Sequence, residues 1–120
     1  MKCTTVLCVD DDAGIRNLYE ALLRRYGYEV LAANGGHHAL HVFQSKEEEI
    51  DAVILDYEMP EMNGLELAVR LKRRDPTLPV IMVSGSAPML EEMAPFVDAT
   101  LAKGVPIRNI IDHLELLLAS

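Results

Sequence analysis

The stretch VLCVDDD, residues 6–12, runs four apolar residues directly into Asp10, Asp11 and Asp12. Two carboxylates ~4 Å apart repel by about 4 kcal/mol at an effective dielectric near 20, the equivalent of about three pKa units. Left alone, such groups protonate or splay into water; held together, they need a counter-charge. Other chemistry-bearing residues end apolar runs in the same way. Asp56 ends the run in VILDYEMP, Ser84 follows VIMV, and Lys103 follows TLA. A hard divalent cation with oxygen ligands, Mg²⁺ first among them, would turn the repulsion between the acids into binding. Three acids, one hydroxyl and one lysine together make a site for a metal-bound phosphoryl group. The cation and Lys103 would neutralise its oxygens, and Ser84 would hydrogen-bond one of them. An Asp in line with phosphorus would be the attacking nucleophile.

That chemistry requires the ends of several elements to converge. Short apolar or β-branched runs occur at Thr5–Val9, Glu29–Ala33, Ala52–Leu55, Val80–Val83 and Ala99–Ala102. Their near-continuous hydrophobicity marks strands buried on both faces. Between them lie segments with helical spacing. Ile15, Leu18, Leu22 and Tyr26 share one face of the first; Leu40 and Phe43 mark the second. Leu65, Ala68 and Leu71 mark the third, and Ile107, Ile110, Ile111, Leu114 and Leu118 the last. The connection around Met89–Ala94 has weak helical character and is closed by Pro95. This alternation gives an α/β fold: a single doubly wound five-stranded parallel sheet in the flavodoxin-like order 2-1-3-4-5. The binding crevice of such a sheet lies at the carboxyl ends of strands 1 and 3, where the winding reverses. Asp10 and Asp11 close the first of these strands and Asp56 the second, so the acids meet there. Asp12 directly precedes the first helical face and reads as its N-cap.

A length of 120 residues suits one domain spanning 1–120, and half of them are apolar, enough for a sizeable core. The net charge of −8 excludes direct nucleic-acid binding by this domain, because phosphate contacts need clustered Lys and Arg. No apolar run approaches the ~20 residues that span a bilayer. Met1-Lys2 leads into a strand-like segment, not a signal peptide, so a cytoplasmic protein without a membrane partner is expected. Cys3 and Cys8 would point to opposite faces of a regular strand, which excludes a disulfide between them and leaves two buried reduced thiols.

The acidic pair Asp10-Asp11, the segment DYEMPEMNG at residues 56–64, Ser84 and Lys103, each at a strand end, resemble the receiver domain of two-component response regulators across essentially the whole chain. The resemblance implies that Asp56 is the phosphoacceptor, taking a phosphoryl group from a phosphohistidine. It makes Asp11 a direct Mg²⁺ ligand and Asp10 its outer-shell partner. Asp56 and the backbone carbonyl of Glu58 complete the protein ligands, and Mn²⁺ is an alternative ion. Ser84 corresponds to the hydroxyl that follows the phosphoryl group, and Lys103 to the lysine that pairs with Asp56 and then with the phosphate. Two positions tune phosphoryl lifetime, here Glu58 and Ser86. Pro60 stiffens the loop, Gly64 supplies a conformation denied to other residues, and Asn63 caps the third helix. The implied partners are a sensor histidine kinase or histidine phosphotransfer protein, a downstream effector, and a second copy in a homodimer. The chain would not be an enzyme beyond self-phosphorylation from a phosphodonor and autodephosphorylation. It departs from the family in two places: Gly104 follows the lysine where proline is usual, and Thr100 stands where an aromatic residue is common.

Other features read more simply. His37, His38 and His41 are solvent-facing residues of the second helix, and KEEEID is a solvated loop. The six methionines read mostly as core or loop filler, and Met59 and Met62, flanking Pro60, are the ones among them nearest to a partner surface. Two rival functions remain. A haloacid-dehalogenase-type phosphohydrolase would use Asp10 and Asp12 as its D-x-D pair, but it needs a further acidic pair after a later strand. Here strands 4 and 5 end in Ser84 and Lys103. A pseudo-receiver acting only as an interaction module would lack the intact acids.

Overall fold

The computed structural model describes residues 3–85 and 93–119. Each apolar run forms a strand: β1 (Thr5–Val9), β2 (Glu29–Ala33), β3 (Ala52–Asp56), β4 (Val80–Ser84) and β5 (Ala99–Ala102). All pairings are parallel, in the order β2-β1-β3-β4-β5. Four helices lie among the described residues: α1 (Ala13–Arg25), α2 (Gly36–Lys46), α3 (Gly64–Arg74) and α4 (Ile107–Leu118). The expected helix around Met89–Ala94 lies largely outside the described residues. At its described end, Met93 is buried, and its carbonyl accepts from the amides of Phe96 and Val97. No described helix is long and apolar enough to cross a membrane.

Alternation along each strand sends side chains to two cores. Leu7, Val9, Val53, Leu55, Val80 and Met82 face α2 and α3, packing on Phe43, Leu67, Ala68 and Leu71. Val6, Cys8, Ile54, Ile81 and Val83 face α1 and α4, packing on Tyr19, Leu23, Ile110, Ile111 and Leu114. Each fully buried Leu, Ile, Val or Phe contributes about 1.5–3 kcal/mol, which fixes the strand register and with it the level at which the strand ends open.

Three expectations need correction. The inner face of α1 is Ile15, Tyr19 and Leu23, while Leu18 and Tyr26 are among the exposed large apolar residues. Both sets obey helical spacing, and only the position of the sheet selects between them. Met59 and Met62 do not face outward: both are buried, and Met62 packs where a Cβ on Gly36 would stand, so they belong to the core and not to a docking surface. Cys3 is exposed before β1, and only Cys8 is buried; both are free thiols. Burial, with the Asp10 and Glu20 carboxylates nearby, pushes the Cys8 thiol up to about 12, so it stays protonated.

Candidate functional site

β1 delivers its three acids to three different tasks. Asp10 is buried, 2% exposed, and its amide extends the ladder by donating to the Ala33 carbonyl. Its Oδ1 accepts the Asp12 amide at 2.9 Å, and its own carbonyl accepts Arg16 Nη1 at 2.7 Å. Asp12 is the N-cap of α1, its Oδ1 accepting the Ile15 amide at 3.1 Å. Asp11, between them, is exposed.

β3 ends on Asp56, also 2% exposed. The following loop is pinned from both sides: the Tyr57 amide donates to the Val83 carbonyl, and the Gly64 amide donates to the Tyr57 carbonyl. Asn63 then caps α3 in a reciprocal capping box with Glu66. Gly64 is not in the left-handed region. It is a glycine because a Cβ would stand 2.6 Å from the Asp56 carbonyl oxygen and 2.8 Å from Tyr57 Cα, both backbone atoms that cannot move aside. The positive φ in this loop belongs to Glu61, at 70°. Pro60 is exposed, and its carbonyl accepts the Met62 amide.

Lys103, just after β5, is tied to β4 by its amide, which donates to the Ser84 carbonyl at 2.8 Å. Its Nζ lies 3.2 Å from Asp56 Oδ2 and 3.5 Å from Asp10 Oδ2. Burial opposes the charge on Lys103, but the Asp56 and Asp10 carboxylates outweigh it and hold the ammonium above its ordinary pKa. Burial, followed by Asp10, pushes the Asp56 carboxyl above its ordinary value despite the pull of Lys103. One lysine therefore does not offset burial and the neighbouring acid together.

Carboxylate oxygens of Asp10, Asp11 and Asp56 lie within 4.8 Å of one another. Asp56 Oδ2 makes its ion pair with Lys103 without an aligned hydrogen bond, the one such buried side-chain atom among the described residues. A buried, under-satisfied carboxylate oxygen beside two more acids is the donor set that Mg²⁺ prefers. The residues present fit that ion.

The strand ends thus gather Asp10, Asp11, Asp56 and Lys103 directly. Ser84 joins through Glu58: the Glu58 amide approaches Asp56 Oδ1 at 3.4 Å, and Glu58 Oε1 accepts from the Gly85 amide at 2.9 Å and from Ser84 Oγ at 3.4 Å. Ser86 lies outside the described residues. Two participants were not foreseen. Arg16 had a signal, since a cation in the first turns of a helix opposes the macrodipole and needs another reason to be there. Gly85 had none, because its contribution is a backbone amide.

The response regulator receiver domain family matches residues 6–115. The sensor kinase/phosphatase LuxN of Vibrio campbellii is 37% identical over 83 residues, covering 69% of this chain and 10% of LuxN. A probable transcriptional regulatory protein of Picosynechococcus is 31% identical over 94% of this chain and 48% of its own length. The chain therefore spans less than half of each of these relatives. The response regulator TrrA of Thermotoga maritima, solved in complex with Mg²⁺ and BeF, superposes with a TM-score of 0.88 at 29% identity, over 95% of this chain and 98% of TrrA. With these strand ends and this acidic crevice, the chain belongs to the response regulator receiver domains and has a phosphoacceptor role in two-component signalling.

Proposed function

We propose that Asp56 is the acceptor residue and that residues 1–120 act as one receiver domain. The observation that carries this reading is the pairing of the buried Asp56 Oδ2 with Lys103 Nζ at 3.2 Å, beside Asp10 and Asp11. An Asp56 oxygen attacks the phosphorus of a phosphohistidine. The O–P bond forms, the P–N bond breaks, and its electron pair leaves on the imidazole nitrogen. Asp11, Asp56 and the Glu58 backbone carbonyl would hold the cation, and Asp10 would support it from the outer shell. Mg²⁺ is favoured by the all-oxygen donor set, and Mn²⁺ suits the same set. When bound, the cation neutralises charge on the phosphoryl oxygens. Lys103 exchanges its Asp56 partner for the incoming group, Ser84 donates to one of its oxygens, and Glu58 and Ser86 set its lifetime. The donor is a sensor histidine kinase or a histidine phosphotransfer protein in the cytoplasm, and phosphorylation changes affinity for an effector or a second copy. Small phosphodonors and water are the only other reactants. The Mg²⁺–BeF complex of TrrA supports this assignment by similarity.

Incubation with acetyl phosphate and Mg²⁺, followed by peptide mass spectrometry, tests it. One phosphoryl group is expected on the peptide holding Asp56, absent from Asp56→Asn and absent with a chelator. Full labelling of Asp56→Asn would refute the assignment.

A further inference from the structure

The donors at the end of β4 are already engaged. The Gly85 amide and Ser84 Oγ both point at one carboxylate oxygen, Glu58 Oε1, at 2.9 and 3.4 Å. Glu58 stands two residues beyond Asp56, and its own amide approaches Asp56 Oδ1. The Gly85 position also borders Lys103: a Cβ built there would lie 3.5 Å from Glu58 Oε1 and 3.9 Å from Lys103 Cδ. Glu58 Oε1 and the stem of the phosphate-pairing lysine thus flank the same residue.

A phosphoryl group on Asp56 brings a charge of about −1.5 to −2 and three strong acceptor oxygens. The cation and Lys103 supply positive charge, but remaining oxygens need hydrogen-bond donors. The Gly85 amide and Ser84 Oγ are donors at the adjoining strand end, and donors that hold a carboxylate oxygen equally suit a phosphoryl oxygen. Resting on the phosphoacceptor reading, we infer that the Glu58 carboxylate is an internal competitor for the phosphoryl group, seated on the Ser84–Gly85 donors and evicted when Asp56 is modified. Eviction follows from two causes that add: both anions need the same donors, and they repel one another across the crevice. The resting state is therefore latched. Two bonds hold the end of β4 to the loop after β3, and phosphorylation breaks them by substitution.

Beryllofluoride in the presence of Mg²⁺ is the probe, with binding followed by fluorine NMR and calorimetry on the intact chain. Glu58→Ala is expected to raise apparent affinity for beryllofluoride about three- to tenfold, the scale of one ordinary net hydrogen bond. Glu58→Gln keeps an acceptor oxygen but loses the charge, so its affinity should fall between those of parent and Glu58→Ala. Mg²⁺ alone should bind Glu58→Ala and Glu58→Gln no more tightly than the parent, with a change smaller than the gain for beryllofluoride, since the carboxylate sits on the β4 donors and its loss cannot favour a cation. Unchanged or weaker beryllofluoride binding by Glu58→Ala overturns the latch. So does a fall in Mg²⁺ affinity as large as the gain for beryllofluoride, which would mark a general charge effect of removing one carboxylate. A parent that binds Mg²⁺ but never beryllofluoride would overturn the phosphoacceptor reading itself, a result distinct from either.

Discussion

Asp56 sits in an environment that, taken as a whole, disfavours its charge: burial and Asp10 together outweigh Lys103. An acid whose folded-state pKa is raised loses nothing while both states are protonated. Its penalty grows as pH rises past the unfolded value and is complete above the folded one. The isosteric Asp56→Asn removes that penalty and leaves Lys103 its second partner, Asp10, at 3.5 Å. Without metal, Asp56→Asn is therefore expected to melt above the parent at neutral pH, with the gap closing as pH falls through the raised folded-state pKa of Asp56 to the ordinary carboxylate value. Calorimetric scans across pH check this, and a gap that widens on acidification would contradict it. The acids, Ser84 and Lys103 were legible in the sequence because each directly ends or follows an apolar run. The Glu58 carboxylate was not, because its partner is a backbone amide 27 positions away.

At the scale of elements, the five strands were legible almost to the residue. Parallel strands covered on both faces leave unbroken apolar runs, and only Asp56 and Ser84 were added at their ends. Helix faces were harder. Leu18 and Leu22 obey helical spacing as well as Tyr19 and Leu23, so the sequence offered two stripes and the sheet chose one. Met59 and Met62 flank an exposed Pro60, yet both are buried in the core and Met62 packs against Gly36 of α2, a contact that only the fold creates. The turn after β5 explains a departure from the family. Gly104 has φ +96°, and the Val105 amide closes the turn onto the Ala102 carbonyl at 3.3 Å. Proline is held near about −65° and cannot take that conformation. Gly104→Pro, although it restores the usual residue after the lysine, is expected to cost about 1–3 kcal/mol. It should lower the melting temperature by several degrees and weaken beryllofluoride binding by displacing Lys103. A variant as stable as the parent would show that the glycine is incidental.

The whole molecule carries a charge of −8, and three of its acids crowd together at the crevice. Folding without a cation therefore works against that repulsion, and a bound cation relieves it. At 100 times its dissociation constant, Mg²⁺ should stabilise the fold by about 2.7 kcal/mol. Asp11→Ala is expected to be at least as heat-stable as the metal-free parent and to gain little from Mg²⁺. An equal Mg²⁺-induced melting shift in both proteins would remove Asp11 from the ligand set.

Two of these acids, Asp10 and Asp11, also lead with Asp12 into a helix. Asp10 Oδ1 holds the Asp12 amide, Asp12 holds the Ile15 amide, and Asp11 is the link between them. Any cation that draws on Asp11 therefore pulls, one peptide bond away, on the residue that starts α1. Fraying of that first turn and filling of the crevice are thus expected to be coupled. The solvent-exchange rate of one amide, at Ile15, then becomes a gauge of what the crevice holds.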